Sequence, residues 1–224
     1  MKERGMIFNG EMVRAILDGR KTQTRRIVKG TDSAVKFCKE WNINGEEFFV
    51  VLGEKDHTGM NPVLGAISCP FGAVGNRIWV REAFRVHSRA TDVATLVYKA
   101  SERNSWTEQT HRVPVAVCNK PATPEKWTPS LHMPRWASRI LLEITDVRVE
   151  RLNAISEEDA RAEGIIDGGC LNCGEPEPCG CANPEPDATD AFAYLWQSIY
   201  GQDNWNANPW VWVIEFKRVE GGAA

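Results

Sequence analysis

Residues 16–26 read ILDGRKTQTRR and join the end of a predicted helix to the start of a predicted strand. The helix is expected over about 10–18, because Asn9 can cap its start and Gly19 can end it. From Thr22 onwards, β-branched residues favour a strand. The conspicuous polar side chains of this stretch therefore lie at a helix-to-strand junction.

Outward from this junction, sequence periodicity predicts further strands and helices of an α+β fold. Apolar alternation predicts strands near 22–28, 48–52, 77–84, 94–99, 139–151 and 209–218. Helical spacing of apolar residues predicts a helix over 189–200. A capping box at Ser156 predicts a short acidic helix that Gly164 ends.

Composition and charge bound the class of protein. The 224 residues, 42% of them hydrophobic and 25% charged, suit one elaborated domain over 1–224. A net charge of −3 argues against a generally basic nucleic-acid coat, but residues 1–29 carry eight Lys and Arg against three acids. Such a patch could hold a phosphate or a nucleic-acid backbone, or it could consist of solvated arginines.

Two further observations concern location. No apolar run approaches the roughly 20 residues that span a bilayer. The start of the chain, MKER, leads into no signal-like apolar stretch. We therefore expect a cytoplasmic protein without a membrane partner.

Four of the seven cysteines, Cys170, Cys173, Cys179 and Cys181, lie in a Gly- and Pro-rich stretch. Because no secretion signal is evident, a disulfide framework explains them poorly. Four thiolates at this spacing suit a closed tetrahedral Zn²⁺ site of structural type, although a reduced, metal-free loop is the alternative.

Three segments, in order, resemble the ASCH family. Residues 16–26 match its helix end, Gly, basic pair, Thr and Arg-bearing strand, while residues 155–164 (ISEEDARAEG) resemble its second element and 212–217 (WVIEFK) its closing strand. The chain also resembles the longer ASCH-like proteins of phages and prophages. Insertions at about 30–74, 85–137 and 167–187 have no counterpart in the smallest members.

This resemblance implies a PUA-like mixed β-barrel with flanking helices, a Cys-rich insertion and a cleft that binds RNA or modified nucleosides. The compact bacterial members it most resembles are N4-acetylcytidine amidohydrolases, which use a Lys, a Thr nucleophile and a Glu. By resemblance, the catalytic residues here are Lys21, Thr24 and Glu163. The substrate-binding residues around them are Gly19, Arg20, Thr22 and Arg26.

The chemistry agrees with these residue types. Amide hydrolysis needs a nucleophile, a base and an acid, which Thr24, Lys21 and Glu163 can supply. Lys21 has to be neutral part of the time, and burial or neighbouring cations favour that. In a flat strand, residues three apart face opposite sides, so the turn after Gly19 has to bring Lys21 and Thr24 together.

A purely structural interpretation explains the same residues. Thr22 and Thr24 are good strand residues, Arg25 and Arg26 could be surface cations, and Glu163 could be an ordinary helix-end acid. Glu82, on an otherwise apolar strand face, is either a second acid of the cleft or half of an ion pair.

The irregular stretch around His132, Arg135 and Trp136 could stack bases and contact phosphates, or its aromatic residue could fill the core. The leading functional hypothesis is an amidohydrolase that acts on an acylated or otherwise modified pyrimidine nucleoside. The alternatives are an RNA- or DNA-binding module of phage origin without chemistry, and a ribonuclease. Neither the acyl group nor the oligomeric state can be predicted.

Overall fold

The computed structural model describes residues 1–31, 33–166 and 188–219, where helices and strands are mixed. The predicted α+β class is therefore confirmed. In chain order the elements are β1 (Glu3–Ile7), α1 (Gly10–Leu17), β2 (Gln23–Ile27), β3 (Lys36–Trp41), β4 (Glu47–Leu52), β5 (Val63–Ile67), β6 (Arg77–Arg81), β7 (Phe84–Arg89), β8 (Val93–Tyr98), α2 (Trp106–Gln109), β9 (Thr110–Pro114), β10 (Leu141–Arg151), α3 (Glu157–Ala162), α4 (Ala188–Tyr200), α5 (Gln202–Asn206) and β11 (Trp210–Arg218).

The chain folds into two compact units, each made of separate stretches. The first unit comprises Met1–Gly19, Gly75–Ile144 and Phe216–Ala224. In it β6 pairs with β1 in parallel and with the first residues of β10 in antiparallel fashion. A second sheet, β7-β8-β9, is antiparallel throughout, and its buried side chains include Phe84, Leu96 and Tyr98.

One close approach defines the β1–β6 pairing. Gly5 lies opposite Trp79, and a Cβ added at Gly5 would come within 2.5 Å of the indole Cζ2 and 2.9 Å of Arg81 Cδ. The indole thus occupies the space that a side chain at residue 5 would need.

The second unit comprises Arg20–Val74 and Thr145–Glu215. There β2 pairs antiparallel with β11, and β3, β4 and β5 form an antiparallel sheet. Helices α3 and α4 supply Ala160, Phe192 and Trp196 to a core that also holds Val211 and Val213 of β11. This unit contains the predicted catalytic residues.

The local signals at the helix ends are confirmed. The Asn9 side chain accepts a hydrogen bond from Met12 N–H at α1, and Ser156 accepts one from Asp159 N–H at α3. Gly19 and Gly164 follow these helices with φ of +77° and +90°, a region that glycine enters without steric cost.

Two expectations about strands need correction. Residues 30–74, where a single short strand was expected, contain the whole β3-β4-β5 sheet. β5 reads VLGAI and is almost entirely exposed, so its residues neither alternate with polar ones nor mark a buried face. The strand expected over 77–84 is two strands, β6 and β7, which belong to different sheets.

Among the described residues no sheet closes on itself, so the PUA-like barrel stays a prediction. None of the helices in this part of the chain is long and apolar enough to cross a membrane.

Candidate functional site

A short backbone contact within the second unit brings the predicted catalytic Lys and Glu together. Thr22 N–H donates to Ala162 C=O at 2.8 Å, and Lys21 forms an antiparallel β-bridge with Glu163. Because α3 ends at Ala162 and Gly164 redirects the chain, Glu163 lies where this bridge can form.

The side chains of Lys21 and Glu163 form a buried ion pair. Lys21 Nζ donates to Glu163 Oε2 at 2.5 Å and to the Glu163 carbonyl at 2.8 Å. The two side chains are 0% and 4% exposed. Burial lowers the pKa of Lys21 below that of a free lysine; Glu163 opposes this shift, whereas Arg26 and Arg25 add to it. Lys21 therefore loses its proton more readily than a free lysine does.

The second oxygen of Glu163 faces Arg25, which sequence reasoning had treated as a possible surface cation. Arg25 is 1% exposed. Its Nη1 lies 3.4 Å from Glu163 Oε1, its Nη2 donates to Asp159 Oδ2 at 2.7 Å, and Nη2 lies 3.4 Å from Glu150. The carboxylate of Glu163 is thus held between two buried cations.

Asp159 links Arg25 to Arg148 of β10. Arg148 Nη2 lies 3.0 Å from both carboxylate oxygens of Asp159, and Arg148 Nε donates to Glu150 at 2.6 Å. Burial favours the neutral form of Asp159, but the hydrogen bond and charge of Arg25, with those of Arg148, outweigh it and lower its pKa. The network fixes α3 against β2 and β10.

Thr24 is buried but does not join this network. Its side chain is fully buried on β2, opposite Ile214 of β11, and its Oγ1 has no hydrogen-bond partner among the residues that the structure describes. Strand alternation puts Thr24 on the face opposite Gln23 and Arg25, both of which contact Asp159. Lys21 precedes the first residue of β2, so this alternation does not fix the direction of its side chain.

The other residues predicted around the site lie nearer the surface. Arg20 is exposed and donates to the Gly164 carbonyl at 2.9 Å, and Thr22 is also exposed. Arg26 is half-buried and donates to the Arg25 carbonyl at 3.0 Å. Gly19 forms the turn after α1 with its positive φ.

Glu82 lies in the first unit, in a separate cluster. Its oxygens accept hydrogen bonds from Arg139 Nε at 2.9 Å and Nη2 at 3.1 Å, and Arg139 also stacks on Tyr98 at 4.1 Å. Burial raises the pKa of Glu82, and Arg139 only partly offsets this. Glu82 thus forms an ion pair, and it also lines a cavity of about 760 Å³ with Arg14, Lys99 and Arg103.

The three residues of the predicted stacking loop separate in the structure. Trp136 packs edge-on against Phe84 at 6.3 Å beside the apolar core, and Arg135 donates to Glu3 at 2.8 Å. His132 is exposed and lines a cavity of about 350 Å³ with Trp127. Trp127, and not Trp136, is therefore the tryptophan beside His132 in a cavity.

Sequence reasoning missed Arg25, Asp159 and Arg148 as parts of the site. One signal was present: Arg148 and Glu150 alternate with Val147 and Val149 on a strand, which gives that strand a charged face. Which carboxylates complete that face depends on α3, and no pattern local to β10 contains that information.

The predicted zinc ligands Cys170, Cys173, Cys179 and Cys181 lie outside the described residues. Within residues 1–31, 33–166 and 188–219, no group of three or more His, Cys, Asp or Glu side chains could hold a metal ion. Cys38 and Cys118 form no disulfide with another described residue.

Comparison with protein-family models, with curated proteins and with solved structures gave no match for this chain.

Proposed function

We propose that this protein is an amidohydrolase with a PUA-like, ASCH-type fold that removes an acyl group from the exocyclic nitrogen of a modified pyrimidine nucleoside such as N4-acetylcytidine. One observation carries the proposal: Lys21 Nζ and Glu163 Oε2 meet at 2.5 Å although they lie 142 positions apart. A buried lysine with a lowered pKa beside a carboxylate is typical of groups that transfer protons.

In the proposed reaction Thr24 Oγ1 attacks the acyl carbon and its proton passes to the neutral amine of Lys21. Because the Thr24 hydroxyl makes no hydrogen bond to that amine in this structure, substrate binding has to bring the two groups together. The C–N bond then breaks as the Lys21–Glu163 pair delivers a proton to the exocyclic nitrogen, which releases the nucleoside. Water hydrolyses the Thr24 ester and releases the carboxylic acid. The buried Thr24 hydroxyl, which has no hydrogen-bond partner among the described residues, has its donor and acceptor capacity left for a ligand.

Arg25 positions the acid rather than transferring a proton. Its guanidinium, fixed by Asp159, lies 3.4 Å from the Glu163 oxygen that does not contact Lys21. This contact orients the carboxylate so that its other oxygen faces the amine. Arg20 and Arg26, nearer the surface, would then orient the substrate.

A second candidate function, binding of RNA or DNA without chemistry, has one observation in its favour. The Lys21–Glu163 pair satisfies its own hydrogen bonds at 0% and 4% exposure, whereas Arg20 is exposed and Arg26 half-buried beside it. Surface cations around a closed ion pair suit a phosphate backbone as well as a small substrate.

The test is turnover of N4-acetylcytidine by the purified protein and by two near-isosteric variants, Lys21→Met and Glu163→Gln. We expect each variant to lower kcat at least about 10²-fold, and the double variant to lose little more, because the two residues act as one unit. The unmodified protein should gain kcat/KM with rising pH at values below the 10.5 of free lysine, and Lys21→Met should lose this limb.

The matched control is Lys39→Met. Lys39 also forms ion pairs in the second unit, with Asp146 and Glu47 at 3.1 Å, but not with Glu163. This variant should keep full kcat. Binding of nucleoside or RNA with no turnover of any acylated cytidine would remove the amidohydrolase proposal and favour the binding module, whose affinity should fall steeply with salt.

A further inference from the structure

In the first unit, the cavity that Trp127 and His132 line is built on a fixed backbone. Thr123 N–H donates to Val86 C=O at 2.8 Å, and Thr128 and Phe84 exchange hydrogen bonds of 2.7 and 3.1 Å. The loop over 120–129 therefore lies along the free edge of β7 and is held there at two points. The cavity that it encloses, with buried Val86 in its wall, has a volume of about 350 Å³.

Trp127 provides the aromatic surface of this cavity. The guanidinium of Arg85 lies 4.4 Å from its ring centroid and covers one face of the indole. Trp127 also lines the cavity together with Pro121 and Pro129. A planar ligand can thus contact an indole that Arg85 already holds in place, so little side-chain entropy is lost on binding.

Basic side chains line the same cavity as this aromatic surface. Lys120, Lys126 and His132 line the cavity, and Arg89 Nη1 donates to the Lys120 carbonyl at 2.7 Å. In a chain of net charge −3, residues 84–89 and 120–132 carry four Lys and Arg against a single acid, Glu125. The cavity therefore combines a stacking surface with a positive rim.

We propose that this cavity is a second ligand site, which binds one nucleotide with its base stacked on Trp127 and its phosphate at Lys120 and Lys126. Stacking on aromatic rings beside Lys or Arg is how proteins hold unpaired bases. The volume is at the small end of ligand pockets, which suits one nucleotide and excludes a duplex. The site lies in a different unit from Lys21 and does not depend on the amidohydrolase proposal.

Isothermal titration of the whole chain with cytidine and adenosine 5′-monophosphates tests the proposal, with ribose 5-phosphate as a probe that lacks the base. We expect both nucleotides to bind, and ribose 5-phosphate to bind at least about 5-fold more weakly, because stacking is worth about 1–3 kcal/mol per base. Equal binding of ribose 5-phosphate would reveal a plain anion site and overturn the proposal.

Two variants locate the site. Trp127→Leu keeps an apolar side chain against Arg85 and should weaken nucleotide binding by about 5- to 150-fold. Lys126→Ala removes an exposed cation of the rim and should also weaken it. The matched controls are Trp106→Leu, a 53% exposed tryptophan that packs on His87, and Lys99→Ala, whose lysine lines the larger cavity. Controls that weaken binding as much as the variants would overturn the assignment.

A third titration, with a short single-stranded oligoribonucleotide and with its duplex, distinguishes a site for free nucleotides from a site for single-stranded RNA. A site for single strands should bind the oligonucleotide more tightly than the monophosphate and reject the duplex. In Lys126→Ala the slope of the logarithm of the binding constant against the logarithm of the salt concentration should become shallower by about 0.7, the value for one phosphate contact. A site for free nucleotides should show no such gain. The titrations contain no acylated substrate and the turnover assay contains no added nucleotide, so this proposal and the amidohydrolase proposal can fail separately.

Discussion

At the scale of single residues, the hydroxyl of Thr24 is the least expected feature of the site. It is fully buried and has no hydrogen-bond partner within the described part of the chain. Burial of such a group without a partner costs about 1–3 kcal/mol. Two explanations are open to test: the hydroxyl serves a ligand, as in the proposed nucleophile role, or it is a cost of the packing.

Replacement of Thr24 by Val separates the two explanations. Valine keeps the shape and removes the unsatisfied hydroxyl, so the free energy of unfolding in denaturant should stay constant or rise by up to about 2 kcal/mol. In the same protein, kcat for N4-acetylcytidine should fall at least about 10²-fold. As a control, Thr31→Val removes a buried hydroxyl that does have a partner, the Val28 carbonyl, and should lower stability but not kcat. Full turnover by Thr24→Val would rule out Thr24 as the nucleophile.

The ion pair at the centre of the site was accessible from the sequence only through resemblance. Nothing in the spacing of Lys21 and Glu163 predicts that they touch; the resemblance assigned both to one cleft, and they are in contact. The role of Arg25 was not predicted, because burial of an arginine depends on partners, and those of Arg25 come from α3 and β10, which are distant in the chain. Contacts of this kind are set by tertiary packing, which local patterns do not encode.

At the scale of elements, prediction succeeded where an element carried a period, end signals or both. α1, α3 and α4 have an apolar face, caps or both, and β11 carries Trp210, Trp212, Ile214 and Phe216 on one face. β5 carries neither signal and was missed. β1 was missed as well, because four of its five residues are exposed and one is Gly5.

Gly5 gives an element-scale prediction about the β1–β6 pairing. A methyl group at residue 5 would collide with the indole of Trp79 at 2.5 Å, so Gly5→Ala should lower the free energy of unfolding by about 1–3 kcal/mol. The control is Gly65→Ala in β5, where a Cβ meets nothing within 4 Å. Alanine there should be neutral or stabilise by up to about 1 kcal/mol. Equal effects of the two substitutions in denaturant melts would contradict the predicted collision.

At the scale of the whole molecule, the mixture of helical and strand patterns predicted the α+β class, but not the way in which the chain is divided. Each unit collects stretches that are far apart in sequence, and no composition shift marks the boundaries at 19–20, 74–75, 144–145 and 215–216. The zinc site in the Cys-rich stretch within 167–187 remains a prediction from the sequence.

We expect metal analysis of protein purified without chelator to give about one zinc per chain, held by Cys170, Cys173, Cys179 and Cys181. Cys173→Ser should reduce the zinc content, since serine is a poor ligand for this ion. Cys38→Ser, which alters a cysteine of β3, should leave the content unchanged. Protein that contains no zinc, or whose four cysteines are paired as disulfides, would remove this prediction.

The interleaving of the two units has a consequence for synthesis on the ribosome. The first unit needs residues 1–19 together with residues from 216 onward, and the second needs residues up to 215. A growing chain therefore cannot complete either unit early, and Phe8, which packs on Phe216 and is buried in the finished fold, stays without all its partners until residue 216 has been synthesised. Slowly translated messages should consequently increase the demand for chaperones that shield exposed apolar segments.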